Sequence, residues 1–443
     1  MTDHYHTTVE ASENEPHIGY YEYLYVLMLI FYAGRSIIFF ELPSLTENTL
    51  GVLLPVIMSG ILAFKWRLFF TKEFYMLLFF FALYFVAVSV KYYEIQPSFI
   101  ILYYMGFFTA FTAIRVLKFN IFTIYEKILY FLAGISLVLW GLQVVAGGDF
   151  LFNIFARSSY LRSISFVSGD GISTLFYSIQ PYATTLINNH TISRNCGFAW
   201  EPGSYGSYLS LGLFINLFIA RDENRKKRFW VLLVALLSTM STTAYVLLTV
   251  IMIFYFINRD FKIIMMLFPV VVVALILFFS LPFMKDKIIE LLTETETVEQ
   301  IISDSVGREV NTTPQRFTSF LITFIDFRNN PVLGLAAHSE DSWTRMVGSS
   351  ISPISGIGTL LSQFGLVGFI PFILFSIKTS FGFAKHFNYR GKWLLFIIIL
   401  LISVSYTIIF IPFTMCFWMY SLFEPDLARE GSGDVAKEAA WKI

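Results

Sequence analysis

EFYMLLFFFALYFVAVSV, residues 73–90, holds one charged residue, at its start, and none after it. A helix needs roughly 20 mostly apolar residues to cross about 30 Å of hydrocarbon, and this stretch with its flanks meets that length. Comparable runs lie at 20–40, 50–64, 97–115, 127–146 and 205–220. Six less even ones follow near 229–241, 244–257, 262–281, 356–377, 393–407 and 409–422, several short enough to be tilted or broken. The expected fold class is an all-α polytopic integral membrane protein with about 11–12 transmembrane helices, in which the last pair could form one long helix.

Composition agrees. Of 443 residues, 56% are hydrophobic and 14% charged, against about 25% charged in soluble domains, and the mean hydropathy is +0.67. The 50 Phe and 24 Tyr suit lipid-facing helices and interfacial belts and point to no chemistry by themselves. A net charge of zero argues against a nucleic-acid partner. The two cysteines, Cys196 and Cys416, form neither a disulfide framework nor a CxxC metal or redox site. Residues 1–19 have no Lys or Arg and no apolar run, so the first helix is expected to serve as the membrane signal.

The connections set the sidedness. Segments 65–72, 115–127, 221–228, 258–262 and 378–392 hold 3, 3, 5, 2 and 4 basic residues, whereas the alternate connections are basic-poor. By the positive-inside rule the N-terminus is cytoplasmic and the two long loops face outward. The chain then divides into a tail at 1–19, helices one to five at 20–146, and a first long loop at 147–203. Helices six to nine follow at 204–281, a second long loop at 282–353, the last helices at 354–422 and a C-terminal tail at 423–443.

Loops beyond about 15 residues are uncommon and usually functional, so both outer loops are expected to contain short helices or binding segments. In the second, PQRFTSFLITFIDF (314–327) puts Phe317, Phe320, Leu321 and Phe324 on one helical face, which reads as an amphipathic helix at the membrane surface. NNPVLG (329–334) after it is a turn signal that brings the chain back toward the bundle.

The candidate site residues sit mainly in these loops. RNCGFAWEPGSYG (194–206) places Arg194, Glu201, Gly203 and Ser204 just before an apolar run. Pro202 suits a first helical position and Glu201 suits the positive end of a helix, so a helix cap accounts for both. Gly203, Ser204 and Gly206 equally suit close helix packing. Arg194 at the lipid boundary is either a snorkelling anchor or a bidentate grip on phosphate or diphosphate. Arg316 is its counterpart in the second loop. His338 could act as a general base, because a histidine side chain is the usual proton carrier near neutral pH, with Glu340 and Asp341 nearby to orient or replace it. Arg35 is a charge inside the first span, and LLSTMSTTAYV (236–246) interrupts two apolar runs as an outer hairpin or a broken helix. No P-loop, GxGxxG or HExxH occurs, so ATP, dinucleotide and zinc mechanisms have no support.

Taken together, RNCGFAWEPGSYGSYLSLGL, the Ser/Thr-rich LSTMSTTAYV, Arg316 ahead of the Asn-Pro-x-x-Gly turn and FGLVGF at 364–369 resemble the Wzy-type O-antigen polymerases. These belong to a wider group of lipid-linked glycan transferases that includes the O-antigen ligases. The chain departs from the ligase pattern where it has ISPISG (351–356) in place of a His-Asn pair, and its Glu-Pro-Gly replaces a His-Pro form.

The resemblance implies a GT-C-like, metal-independent glycosyltransferase in the bacterial inner membrane, with its active site facing the periplasm and no cofactor. The donor would be a growing glycan on undecaprenyl diphosphate, transferred to the non-reducing end of a new lipid-linked repeat unit. Membrane lipids and a chain-length regulator would be its further partners. Arg194 and Arg316, with Gly203, Ser204 and Arg35, are the expected diphosphate and substrate contacts; His338 or Glu201 is the base, unless Glu201 only orients an arginine. The same residues admit a ligase acting on a lipid A-core acceptor, and a polysaccharide transporter or flippase shares the helix count.

Overall fold

The computed structural model describes residues 18–33, 49–147, 150–151, 153–154, 166–168, 171–174, 176–180, 183–187, 190–258, 316–338, 341–346 and 354–424. Arg35, the 262–281 run and Glu340 lie outside the described residues.

The described chain is mostly helical, as an all-α membrane protein would be. Helices α1 (Tyr20–Ala33), α2 (Thr49–Lys65), α3 (Lys72–Tyr92), α4 (Pro97–Leu117) and α5 (Asn120–Ala146) precede the first long loop. After it come α6 (Pro202–Phe218), α7 (Arg225–Ser238) and α8 (Thr242–Ile257). The second loop contributes α9 (Arg316–Asn329) and the single turn α10 (Trp343–Met346). Next are α11 (Gly356–His386), α12 (Leu394–Ser405), a 3-10 turn (Thr407–Phe410), α13 (Pro412–Trp418) and α14 (Tyr420–Phe423). Among the described residues, α3, α4, α5 and α11 are each long and apolar enough to cross a membrane. The final apolar stretch is not one long helix: it breaks at Tyr406 into four short pieces.

The first loop has helical residues at 150–151 and 153–154, and its remaining described part is strand. Phe166–Ser168, Gly171–Ser173 and Ser178–Ile179 form a small antiparallel sheet, and Thr184–Ile187 pairs with His190–Ser193 as a hairpin.

Small residues put α6 at the centre. Every residue from Pro202 to Phe218 is buried. A Cβ on Gly206 would stand 2.5 Å from that of Ala244, and one on Gly212 would stand 2.4 Å from Leu129. The glycine spacing thus lets α6 lie directly against α8 and α5, as small residues do between membrane helices. Tyr125 and Tyr208 donate to the carbonyls of Tyr208 and Ala33 at 2.7 and 2.6 Å, pinning α5 and α1 to it.

The basic connections gather at one end of the bundle. Phe70 stacks on Phe111 near Arg115, Phe119 stacks on His386 at 4.1 Å, and the Asn258 amide bonds the Arg390 backbone both as donor and as acceptor. Arg228 joins Glu126 at 2.7 Å and Asp222 at 2.6 Å. Since α6, α7 and α12 each have one end in these connections, their other ends, at Pro202, Ser238 and Ser405, lie at the opposite end of the bundle.

Two features sharpen the sequence expectation. Helix α9 forms where the periodicity puts it, its buried face being Ser319, Ile322, Thr323 and Asp326, packed on α11, while Phe324 is 40% exposed. A Cβ on Gly358 would stand 2.0 Å from Thr323 Oγ1, so the small polar face makes the close approach. FGLVGF stands where the second, longer stretch of α11 begins. It breaks α11 at Gly365, whose φ of 56° no helix has.

The NPVLG turn fills that break. Leu335 and Ala336 donate to the carbonyls of Ser362 and Gln363 at 2.7 Å, while Leu366 and Val367 donate to those of Pro331 and Val332. Tyr84 adds its hydroxyl to the carbonyls of Leu333 and Gln363 at 3.0 and 2.9 Å. Backbone freed inside a membrane bundle must find such internal partners.

Candidate active site

The site is built where three segments meet at the first turn of α6, at the end of the bundle opposite the basic connections. Arg194 follows the second hairpin and is carried onto the turn between α7 and α8: its Nε donates to the Thr239 carbonyl at 3.1 Å, and the Asn195 backbone N–H to that of Ser238 at 3.0 Å. Asn195 is fully engaged, its amide donating to Ser136 and Ser238 and its carbonyl accepting from the Gly197 N–H. Gly197 has φ of 51°, and a Cβ there would strike the Tyr205 ring at 2.4 Å, so the turn after Arg194 requires glycine. LSTMSTTAYV is therefore the turn between α7 and α8, and it accepts from Arg194.

Glu201 is the N-cap residue of α6, yet its side chain makes no cap hydrogen bond. It faces Arg316 instead, with Oε1 3.7 Å from Nη2. The helix-cap reading of the side chain is thereby set aside, although Pro202 does occupy the first turn as that reading requires.

Arg316 is the first residue of α9, where a cation opposes the helix dipole. Other groups hold it there. Nη1 donates to the Ser405 carbonyl at 2.5 Å, Nη2 to the Tyr406 hydroxyl at 2.8 Å, and the guanidinium lies over the Tyr406 ring with Cζ 4.1 Å from its centre. Glu201 and Tyr406 also lie within electrostatic reach of Arg194, whose burial pulls its pKa below the usual guanidinium value. At neutral pH it is charged all the same.

Two arginines and one carboxylate leave a net positive site, and the N-terminus of α6 adds its partial positive charge. Only one N–H of Arg194 and two of Arg316 are hydrogen-bonded among the described residues, so both guanidinia retain donors for an anion.

Of the other candidates, Gly203 lies in the site against Tyr406, and Ser204 is buried beside it with no hydrogen bond among the described residues. The structure seats His338 with a different set of residues. Its ring is buried, stacked on Tyr92 at 4.3 Å, with Nδ1 3.2 Å from both Gln96 Nε2 and Glu94 Oε2. Asp341 donates its backbone N–H to the His338 carbonyl at 3.2 Å. Burial pushes the Cys196 thiol up to about 12, which removes it as a nucleophile. Among the described residues no group of three or more His, Cys, Asp and Glu gathers as a metal site.

Sequence reasoning missed Tyr406. The signal was faint: a tyrosine between Ser405 and Thr407, inside a run that otherwise reads as membrane helix. Neither a scan against protein-family models nor a search of curated proteins returns a match to this chain.

Proposed function

We propose that the protein is a GT-C-like membrane glycosyltransferase that polymerises lipid-linked oligosaccharide repeat units. The observation that carries this reading is the convergence of Arg194, Glu201 and Arg316 from two outer loops on the first turn of α6. By the positive-inside rule the basic end of the bundle is cytoplasmic, so this site faces the periplasm of a bacterial inner membrane.

The donor is a growing glycan on undecaprenyl diphosphate, and the acceptor is the non-reducing end of a new lipid-linked unit. An acceptor hydroxyl oxygen attacks the anomeric carbon and the bond to the diphosphate oxygen breaks. The electron pair leaves with the diphosphate, and the hydroxyl proton passes to the Glu201 carboxylate. Arg194 and Arg316 stabilise the charge that develops on the leaving group, the kind of preset electrostatic contact that contributes most in a site shielded from water. Glu201 serves as base in preference to His338 because it stands beside the arginines, whereas the His338 ring is engaged by Tyr92, Glu94 and Gln96. The donor carries its own activated bond, so the reaction requires no cofactor.

The test is reconstitution of the full chain in vesicles with a lipid-linked repeat unit, read as a glycan ladder on a gel. Arg194→Ala and Arg316→Ala should each slow ladder formation on the order of 100-fold. Full-rate ladders from both variants would remove the diphosphate assignment. Transfer only to a lipid A-core acceptor, with no ladder, would make the enzyme a ligase.

A further inference from the structure

Gly203 does not owe its identity to backbone conformation. It lies in the first turn of α6 with a helical backbone, a place alanine would accept. What excludes a side chain is Tyr406: a Cβ on Gly203 would lie 1.7 Å from the phenol oxygen and 2.9 Å from Cζ. The tyrosine, 3% exposed, is thus seated on the glycine, with the Ser241 hydroxyl closing the same pocket at 3.2 Å from that Cβ position.

Tyr406 in turn defines the position of Arg316. A free arginine side chain has rotamer entropy to lose on binding. Here the ring fixes the plane of the guanidinium, the hydroxyl fixes Nη2, and the neighbouring Ser405 carbonyl fixes Nη1. The Nε–H and one N–H on each terminal nitrogen remain without hydrogen bonds among the described residues, and Nη2 faces Glu201. A guanidinium held this way presents its donors without first having to be ordered.

We propose that Tyr406 is a positioning residue that presets Arg316 for a diphosphate, and that Gly203 is the seat that holds the tyrosine in place. The inference rests on the reading of Arg316 as a diphosphate contact. It goes further in assigning the Gly of Glu-Pro-Gly to a residue 203 positions later, across α6 and the break after α12. Were Tyr406 only a packing ring, phenylalanine would replace it without consequence.

The experiment uses the full chain in detergent as wild type, Tyr406→Phe, Gly203→Ala and the double variant. Calorimetry measures affinity for inorganic diphosphate and orthophosphate. In parallel, mass spectrometry follows the rate at which phenylglyoxal modifies Arg316, with Arg390 at the basic end as internal reference. Tyr406→Phe should weaken diphosphate about tenfold through loss of one hydrogen bond to a charged group, speed Arg316 modification several-fold and leave the ligand-free melting temperature unchanged. Gly203→Ala should do the same or worse, and adding Tyr406→Phe should recover part of that loss, because the 1.7 Å contact is gone while the 2.9 Å one to Cζ remains.

Wild-type affinity and labelling in Tyr406→Phe would overturn the proposal, as would a double variant no better than Gly203→Ala. If wild type binds no diphosphate but the labelling pattern holds, the positioning role stands and the diphosphate reading falls. If wild type binds diphosphate and the variants change neither readout, the reverse is true.

Discussion

A Cβ on Gly365 would lie 2.3 Å from the carbonyl oxygen of Val332, a residue of the turn that fills the break in α11. The neighbour is backbone, already committed to accepting from Val367, and cannot withdraw. Gly365 also has φ of 56°, which costs other residues about 1–2 kcal/mol. Gly365→Ala should therefore lower stability by about 2–4 kcal/mol, seen as a lower melting temperature in detergent. An unchanged midpoint would mean that the break is not held by the 330–334 turn.

Arg316→Lys tests whether the guanidinium or only its charge matters. Lysine cannot span Ser405, Tyr406 and an anion from one planar group. The variant should lose activity nearly as fully as Arg316→Ala, by on the order of 100-fold in ladder formation. Activity within a few-fold of wild type would show that a point charge suffices.

His338→Ala separates a structural histidine from a base. Its ring stacks on Tyr92 and meets Gln96 and Glu94, so its loss should loosen the 331–338 segment and lower the melting temperature while ladder rate stays within about tenfold. His338→Phe, which keeps the stack, should recover most of the stability. A loss near 1,000-fold in both variants, at unchanged stability, would return the histidine to the chemistry.

Asp326 gives a pH signature. Burial raises its pKa above the usual aspartate value, against the opposing effect of the Trp343 N–H that it accepts at 2.7 Å. An acid whose folded pKa is raised favours the folded state when protonated. Stability should thus fall as pH rises from the unfolded pKa through the folded one, and the deficit then persists at neutral pH. Asp326→Asn keeps an acceptor for Trp343 without the charge. It should melt higher than wild type at pH 7, with the advantage vanishing in acid. A lower melting point at pH 7 would contradict the burial effect.

At the other end, Arg228 is 7% exposed and bridges Glu126, fully buried, to Asp222. Removing one partner strands a buried charge, so Arg228→Ala should destabilise by about 3–5 kcal/mol, and Arg228→Leu with Glu126→Leu by less than that single change. A double variant that loses the sum of what Arg228→Leu and Glu126→Leu lose singly would show that the pair is not coupled.

Much of this protein follows from one dimension. Residues 73–90 can only be a membrane helix, because length and apolarity are properties of the chain and the bilayer is thick in one known measure. The basic connections foretold which helix ends share a side, and Gly334 after Asn330-Pro331 foretold a turn, since its φ of 67° is a local requirement. Arg194, Glu201 and Arg316 stood out as charges next to greasy runs.

Tertiary structure decided what those charges meet. Amphipathicity could not say that Ser319, Thr323 and Asp326 of α9 are the residues buried against α11, because which face meets a neighbour is decided by close packing. Nor could spacing find Tyr406, whose role depends on a hydroxyl resting on a glycine 203 residues earlier in the chain. His338 adds what type and loop position could not say: its neighbours are Tyr92 on α3 and Glu94 and Gln96 in the turn to α4. Periodicity and composition report what a segment needs from its surroundings, whereas a site is a meeting of distant segments, and only packing brings them within a few ångströms.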